Sequence, residues 1–219
     1  DLYYGEAYFT DNDRIRIKNH DIKADYIIVA TGAMPRPMNI EGAQYVKTSE
    51  DFLEMEDMPD SVIFAGGGYI SFEFAQITAS AGIDTTILHR SERPLKQFDP
   101  VLVDKLSDAL KKNSVNILLN TPVEKITENN GQYTVHSGEK TFTAGAVFHG
   151  AGRVPQIDGL HIENAGIETD DRGRIILNDK LQTSNERVYL AGDCNKLSPA
   201  LKSVAQYEAG IVISNIMGK

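Results

Sequence analysis

A run of three glycines between an apolar segment and a helical pattern constrains the fold of this chain most. Residues 61–65 read Ser-Val-Ile-Phe-Ala and are followed by Gly66, Gly67 and Gly68. A strand that leads through such a turn into a helix is typical of the first half of a dinucleotide-binding βαβ unit. Gly66 permits the sharp turn. Gly68 lacks a Cβ, so a pyrophosphate can approach the helix N-terminus, where free N–H groups favour negative charge.

The residues after the turn complete the unit. Four apolar residues recur at helical spacing and predict an amphipathic helix: Ile70, Phe74, Ile77 and Ala81. Gly82 ends this helix, and residues 83–88 form the predicted second strand. Ser71 stands where the usual pattern has Gly or Ala packing the helix against the strand. We expect a slightly looser contact there, with the site intact.

The end of the second strand bears on which nucleotide is bound. NAD-binding units usually place a carboxylate there, which accepts hydrogen bonds from the ribose 2′-OH. Here the strand ends in Leu-His-Arg, and three cations follow in one short loop: Arg90, Arg93 and Lys96. A 2′-phosphate would find partners in Arg90 and Lys96, with Arg93 or His89 as helpers, so the loop favours NADPH. Glu92 in the same loop weakens this preference, and a solvated basic loop is the alternative.

Composition excludes several classes of partner. The chain has 219 residues, 41% of them hydrophobic, which suffices for one large domain or two modest ones. Its net charge of −9 argues against nucleic acids and anionic membranes as partners. No apolar run has the length of a membrane span. The single cysteine excludes an internal disulfide and suits a reducing cytoplasm.

Short apolar runs and turn residues outline the other elements. Strands are predicted at 2–9, 14–18, 25–30, 61–65, 83–88, 116–119, 146–149, 175–177 and 188–190, with a hairpin-rich section at 122–143. A short helix capped by Thr48 or Ser49 is predicted through Met55, and a closing helix at about 200–217. A helix at roughly 100–112 has one predicted apolar face, made of Val101, Leu102, Leu106, Ala109 and Leu110. The Pro-rich segment 34–37 indicates an interdomain strand or linker.

A second nucleotide signal lies near the C-terminal end. The apolar run 188–190 leads into Ala191, Gly192 and Asp193. Gly192 lets a ligand approach the strand end closely, and Asp193 can accept hydrogen bonds from a polyol. Since Gly-Asp is also an ordinary turn, the residues alone make this a modest signal.

Five ordered motifs carry a family resemblance. They are the Ala-Thr-Gly at 30–32, the GGGYISFE segment at 66–73, the basic loop before Phe98-Asp99, the GAGRVP segment at 150–155 and the TSNERVYLAGD segment at 183–193. In this order the chain resembles the flavoprotein pyridine nucleotide–disulfide oxidoreductases, and within them the glutathione reductase and mercuric reductase branch. The resemblance covers nearly the whole chain. The five motifs are highly specific to the superfamily and much less specific to the substrate.

The resemblance implies two cofactors, NADPH and FAD. The residues that would bind them are Gly66, Gly68, Tyr69, Ile70, Glu73, Arg90, Lys96, Gly152, Arg153, Thr31, Gly32 and Asp193. Tyr69 would cover the nicotinamide pocket, and Glu73 would lie beside the flavin, although without a partner it is only a first-turn helix carboxylate. Gly152 and Arg153 would line the far wall of the cofactor cleft, and Asp193 would bind the FAD ribitol. Thr31 and Gly32 would lie where the FAD domain passes into the NADPH domain.

The expected fold class is α/β. We expect a Rossmann-like NADP(H)-binding domain at 35–152, with a parallel sheet, helices and a β-meander. It would be flanked by incomplete parts of an FAD-binding domain at 1–34 and 153–219. The resemblance further implies that the redox-active Cys-x4-Cys pair and the C-terminal dimerisation domain of full members lie outside this chain. We therefore expect no catalytic residue in it and an incomplete FAD site.

The parent protein would pass a hydride from NADPH to FAD and electrons on to a small-molecule or protein disulfide, as a cytoplasmic homodimer. This chain alone would be inactive. Cys194 is expected to be a small buried residue, and the five histidines lack metal-ligand or triad spacing. Two alternatives stay open: an NAD(P)H oxidase or ferredoxin-reductase-like flavoenzyme, and a non-enzymatic NADP(H)-binding module.

Overall fold

The computed structural model describes residues 1–218, and the chain divides into two compact units. One unit is continuous and comprises Pro35–Gly152; we call it the central unit. The other, the discontinuous unit, comprises Asp1–Met34 and Arg153–Lys219. The assignment of NADP(H) to the first and FAD to the second stays a prediction.

The elements are named in chain order. The strands are β1 (Ala7–Asp11), β2 (Arg14–Ile17), β3 (His20–Lys23), β4 (Ile27–Val29), β5 (Ala33–Pro35), β6 (Val46–Lys47), β7 (Ser61–Ala65), β8 (Asp84–Leu88), β9 (Val115–Leu118), β10 (Lys125–Asn129), β11 (Gln132–Ser137), β12 (Lys140–Ala144), β13 (Ala146–His149), β14 (Arg153–Pro155) and β15 (Val188–Leu190). The α-helices are α1 (Ser49–Glu54), α2 (Tyr69–Ser80), α3 (Pro100–Lys112) and α4 (Lys202–Ile216). Two 3₁₀ turns are Ala43–Tyr45 and Ile162–Ala165.

A five-stranded parallel sheet forms the centre of the central unit, in the order β6-β13-β7-β8-β9. The side chains of strand β7 show that this sheet is buried on both faces. Val62 and Phe64 pack with side chains of α1, α2 and α3, whereas Ile63 and Ala65 pack with side chains of β10, β11 and β12. A strand covered on both sides reads as a continuous apolar run. The predicted α/β, Rossmann-like class is confirmed.

An antiparallel meander, β10-β11-β12, supplies the second layer over the sheet. Asn130 and Gly131 have φ values of 50° and 79°, and Gly138 has a φ of 57°. These left-handed positions close the two hairpins, as the turn residues predicted.

The discontinuous unit contains an antiparallel meander, β1-β2-β3, and a parallel pair, β15-β4. Phe9 of β1 packs with Val29 and Leu190 of the parallel pair in one apolar cluster. Strands β5 and β14 pair with each other. Helix α4 buries Val212 against Tyr189 and Ala191.

Two strand predictions need correction, and one further strand was missed. The first strand covers Ala7–Asp11 instead of 2–9, and Leu2 and Tyr4 are exposed. The predicted strand at 175–177 is a single bridge between Ile175 and Thr169. Ile175 and Leu177 pack partly buried against the core of the unit, whereas Ile176 is exposed. Strand β3 was not predicted, because its sequence His-Asp-Ile-Lys is mostly polar.

The predicted apolar face of α2 was wrong. The buried residues of this helix are Ser71, Phe72, Ala75 and Thr78. Ile77 is 54% exposed, whereas Phe74 is partly buried and stacks on Phe52 with ring centroids 3.9 Å apart. Small residues let the helix approach the sheet closely, and a search for large apolar residues overlooks them.

Helix α3 has its predicted bounds but also presents a different face. The Asp99 carboxylate caps it by accepting a hydrogen bond from the Val101 N–H at 2.8 Å, and Pro100 occupies the first turn. Val103 and Leu110 are buried, while four residues of the predicted face are exposed: Val101, Leu102, Leu106 and Ala109.

The contact at Ser71 is tight, contrary to the expectation of a looser one. Ser71 is fully buried, and its hydroxyl donates to the carbonyl of Gly66 at 2.6 Å. A Cβ on Gly150 would lie 1.7 Å from the Ser71 Oγ and 2.9 Å from the Gly66 carbonyl oxygen. The serine therefore fits because the opposite residue has no side chain.

This packing predicts unequal costs for three alanine substitutions. Ser71→Ala loses one buried hydrogen bond, so we expect the free energy of unfolding to fall by about 1 kcal/mol. Gly150→Ala inserts a Cβ where none fits, and we expect a larger loss, on the order of 3 kcal/mol. Urea denaturation measures both, with exposed Ser80→Ala on the same helix as the matched control, expected within about 0.5 kcal/mol of the parent chain. Equal losses at residues 71 and 80 would contradict the tight contact.

Candidate functional site

The glycine turn after β7 is held against the ends of two neighbouring strands. The Gly66 N–H donates to the Leu88 carbonyl at 2.8 Å, and the Gly68 N–H donates to the Gly150 carbonyl at 3.2 Å. A Cβ on Gly66, which has a φ of 115°, would lie 2.5 Å from the Gly150 carbonyl carbon, and one on Gly68 would lie 2.8 Å from the same carbonyl oxygen. Close backbone packing thus requires glycine at both positions. This reason adds to the one predicted from the sequence, which was access for a phosphate.

Helix α2 begins directly at this turn and has an uncapped N-terminus. Gly68 is its N-cap residue, no side chain accepts a hydrogen bond there, and no acidic residue lies in the first turn. The first N–H groups of a helix have no intrahelical acceptor, and the helix dipole adds partial positive charge. This N-terminus, with Tyr69 and Ile70 as its first residues, is suited to an anion.

Two predicted residues on α2 are solvent-facing. The Tyr69 side chain is 39% exposed at the first helical position. Glu73 is also exposed, but it lies in the second turn, because the helix begins at Tyr69. Its description as a first-turn carboxylate was therefore wrong.

The basic loop lies next to the glycine turn. The Leu95 N–H donates to the Gly67 carbonyl at 3.0 Å, which joins the two segments through the backbone. Arg90 and Lys96 are exposed, and within residues 1–218 no ion pair engages either cation or Glu92. Both cations can therefore meet an anionic ligand.

His89, suggested with Arg93 as a helper for the 2′-phosphate, links the basic loop to the glycine turn. Its Nδ1 accepts a hydrogen bond from the Gly67 N–H at 3.0 Å, and its Nε2 lies 2.8 Å from the Arg93 carbonyl oxygen. Burial lowers the pKa of His89, the Arg93 carbonyl partly opposes this, and the charges of Lys96 and Arg90 lower it further. The ring is thus neutral near pH 7, and both of its nitrogens are engaged within the chain.

A second set of predicted residues lies at strand ends in the discontinuous unit. Thr31 and Gly32 follow β4 and Asp193 follows β15, and these two strands are parallel neighbours. The Ala191 N–H donates to the Val29 carbonyl at 3.1 Å, which extends the pairing beyond the strands. Carboxyl ends of adjacent parallel strands are where α/β proteins bind ligands.

A buried carboxylate, missed in the sequence, organises the turn that contains Asp193. Glu208 of α4 is 4% exposed and accepts hydrogen bonds from the Gly192 N–H at 2.7 Å and the Asn195 Nδ2 at 2.9 Å. The Ser198 hydroxyl donates to its other oxygen. The one available signal was an acidic residue inside a largely apolar helix.

Gly152 and Arg153 lie where the chain passes between the units. Gly152 belongs to the central unit, has a φ of 104° and accepts a hydrogen bond from the Arg36 N–H at 2.9 Å. Arg153 belongs to the discontinuous unit, where its guanidinium donates to the Ala33 carbonyl. Their role at a cofactor stays a prediction.

Cys194 is the small buried residue that the sequence predicted. It is 3% exposed, and its thiol lies 3.3 Å from the carbonyl oxygens of Val29 and Ala191. Burial raises the pKa of this thiol, so it is an unreactive group near neutral pH. Across residues 1–218, no group of His, Cys, Asp or Glu side chains is arranged to hold a metal ion. None of the helices described there is long and apolar enough to cross a bilayer.

The structure thus gathers the predicted residues into two groups. Within the central unit, backbone hydrogen bonds hold the glycine turn, the α2 N-terminus and the basic loop together. Within the discontinuous unit, the residues after β4 and β15 lie at one edge of the parallel pair. The sequence missed His89 as the link in the first group and Glu208 as the support of the second.

Comparison with known proteins agrees with this architecture. The family described as pyridine nucleotide-disulphide oxidoreductase matches residues 1–209. Mercuric reductase of Staphylococcus aureus is 35% identical over 100% of this chain and 41% of its own length. The probable pyridine nucleotide-disulfide oxidoreductase RclA of Escherichia coli K12 is 32% identical over 88% of this chain and 45% of its own length.

A solved structure shows the same fold. The HOCl-induced flavoprotein disulfide reductase RclA from Escherichia coli superposes with a TM-score of 0.93 at 30% identity, over 100% of this chain and 51% of that one. The chain therefore spans about half the length, or less, of these relatives. The resemblance stated from the five motifs is confirmed: the chain belongs to the pyridine nucleotide-disulphide oxidoreductase family.

Proposed function

We propose that the central unit binds NADP(H). The diphosphate would lie against Gly66–Gly68 and the N-terminus of α2, and the 2′-phosphate would lie between Arg90 and Lys96. One observation carries this proposal. A backbone hydrogen bond holds the glycine turn, where α2 begins without a cap, next to a loop whose exposed cations Arg90 and Lys96 form no ion pair. The two features recognise anionic groups by different means, N–H groups in one case and side-chain charge in the other.

The choice of NADP(H) over NAD(H) depends on the end of β8. The strand ends at Leu88 and is followed by His89 and Arg90, so no carboxylate stands there to accept from a 2′-OH. The whole chain carries a net charge of −9, which makes a cationic loop a local exception. Each charge-assisted bond to a 2′-phosphate contributes about 1.5–3 kcal/mol, enough for a preference of about tenfold or more.

We further propose that the discontinuous unit contributes to an FAD site. The half-exposed Asp193 carboxylate at the end of β15 can accept hydrogen bonds from ribitol hydroxyls, and Glu208 fixes the turn that presents it. Thr31 and Gly32 lie at the same strand edge. A flavin bound there would supply the acceptor for a hydride from NADPH.

For the longer protein we propose electron transfer onward to a disulfide or a similar acceptor. The relatives support this, since they include a mercuric reductase and a flavoprotein disulfide reductase. The resemblance further implies a cytoplasmic homodimer. The 219-residue chain itself would bind NADP(H) without reducing disulfides, because its one cysteine is buried and has no second thiol.

Titration calorimetry with NADPH and NADH tests the nucleotide site. We expect the 219-residue chain to prefer NADPH, and Arg90→Glu to lower NADPH affinity about tenfold or more while changing NADH affinity little. Lys140→Glu, the same charge change at an exposed position in the β11–β12 hairpin, is the matched control and should leave both affinities unchanged. Equal affinities in the parent chain would contradict the 2′-phosphate site and favour an NADH-using flavoenzyme.

The thiol of Cys194 provides a test of inactivity. Because burial raises its pKa, we expect Ellman's reagent to react much more slowly with the folded chain than with the chain in guanidinium. With NADPH and a disulfide present, no turnover should be measured. Rapid modification of the folded chain, or NADPH-dependent disulfide reduction, would contradict the proposal for this chain.

Glu208→Gln tests the support of the Asp193 turn. A neutral amide replaces a carboxylate that accepts three hydrogen bonds, so we expect the free energy of unfolding to fall by about 1–3 kcal/mol. Exposed Glu186→Gln is the control. Hydrogen exchange at the Gly192 amide should accelerate in the first variant alone, and unchanged protection there would show that the turn does not depend on Glu208.

A further inference from the structure

A closed set of hydrogen bonds links the glycine turn with the basic loop. The Gly67 N–H donates to His89 Nδ1 at 3.0 Å, and His89 Nε2 lies 2.8 Å from the Arg93 carbonyl oxygen. The Leu95 N–H returns to the Gly67 carbonyl at 3.0 Å. Gly67 thus uses both of its backbone groups to hold the loop, and the His89 ring joins the Gly67 N–H to the Arg93 carbonyl.

The donor at Gly67 fixes the state of the imidazole. A backbone N–H can donate only to an unprotonated nitrogen, so Nδ1 carries no proton and Nε2–H donates to the Arg93 carbonyl. The Ser91 Oγ lies 2.9 Å from the same Nε2. The charged groups next to the ring are Arg90 and Lys96 of its own loop, and the facing glycine turn has no titratable group. A positive charge on the ring is therefore opposed by Arg90 and Lys96.

Gly67 itself gives an independent indication of this pairing. A Cβ there would lie 2.8 Å from His89 Nδ1 and 2.8 Å from the Cβ of Pro94. Its φ lies outside the left-handed range, so backbone conformation does not require glycine. The missing side chain makes room for the imidazole and for the loop.

We propose that His89 is a positioning residue that sets the register between the glycine turn and the basic loop. It would place Arg90 and Lys96 where they meet the 2′-phosphate of a nucleotide whose diphosphate lies on the turn. This inference rests on the proposed NADP(H) site and adds a determinant of NADP(H) over NAD(H) selectivity that touches neither phosphate. A ligand that contacts both segments needs this register, whereas NAD(H), which has no 2′-phosphate, needs it less.

Titration of the whole 219-residue chain with NADP⁺ and NAD⁺ tests the proposal. His89→Ala should lower NADP⁺ affinity about tenfold more than NAD⁺ affinity, in a protein whose circular dichroism and thermal unfolding show that it is folded. His89→Asn keeps an acceptor near the Nδ1 position and His89→Gln keeps a donor near the Nε2 position, so each should recover part of the ratio. His136→Asn, on β11 of the same unit, is the control and should leave the ratio unchanged.

The pH dependence of the ratio of NADP⁺ to NAD⁺ affinity separates positioning from general stabilisation. Protonation of His89 removes the acceptor for the Gly67 N–H, so this ratio should fall more steeply toward acidic pH in the parent chain than in His89→Asn. The 2′-phosphate titrates alike with both proteins, so the difference between the two profiles reports on His89.

Two results would overturn the inference while leaving the proposed function intact. One is an unchanged ratio of NADP⁺ to NAD⁺ affinity in folded His89→Ala. The other is an identical pH profile in the parent chain and His89→Asn. Binding of neither nucleotide by the folded parent chain would instead overturn the proposed function, and the inference with it.

Discussion

The close approach of two backbone segments, Gly66–Gly68 and Gly150, is the constraint on which the central unit depends. The Gly150 N–H donates to the Ala65 carbonyl at 2.9 Å and its own carbonyl accepts from the Gly68 N–H, so pairing between β7 and β13 continues past the sheet. There is no room for a Cβ at Gly66, Gly68 or Gly150. Helix α2 can therefore start at the sheet edge itself, with its uncapped N-terminus at the carboxyl ends of the strands. The fully buried Ser71 hydroxyl, which donates to the Gly66 carbonyl, belongs to the same contact.

Much of this architecture could be predicted because local sequence determines it. The glycine turn, the continuous apolar run of β7 and the Asp99-Pro100 start of α3 each express a rule that acts within a few residues. The family resemblance was recognised from the order of five such segments along the chain. Which face of a helix is buried depends on its tertiary neighbours. In α2 the buried face includes the small residues Ser71, Ala75 and Thr78, which a search for large apolar side chains overlooks.

The polar groups that organise the site could not be predicted for the same reason. His89 is defined by its partner Gly67, and Glu208 by its partner Gly192; both partners lie far away in the sequence. A histidine beside cations suggested phosphate binding until the structure showed both ring nitrogens occupied. Side-chain chemistry indicates what a residue can do, and its neighbours determine which of those interactions it makes.

In the basic loop, the groups that fix the path of the chain are not the groups that carry the charge. Backbone groups of Gly67 and Leu95, together with the His89 ring, fix the path of the chain, while Arg90 and Lys96 extend into solvent and support nothing else in the described part of the chain. Residues 90 and 96 can therefore change one at a time without disturbing the fold. Under the proposed function, nucleotide preference would be a modular trait of this loop, open to stepwise evolution through intermediates that all remain folded.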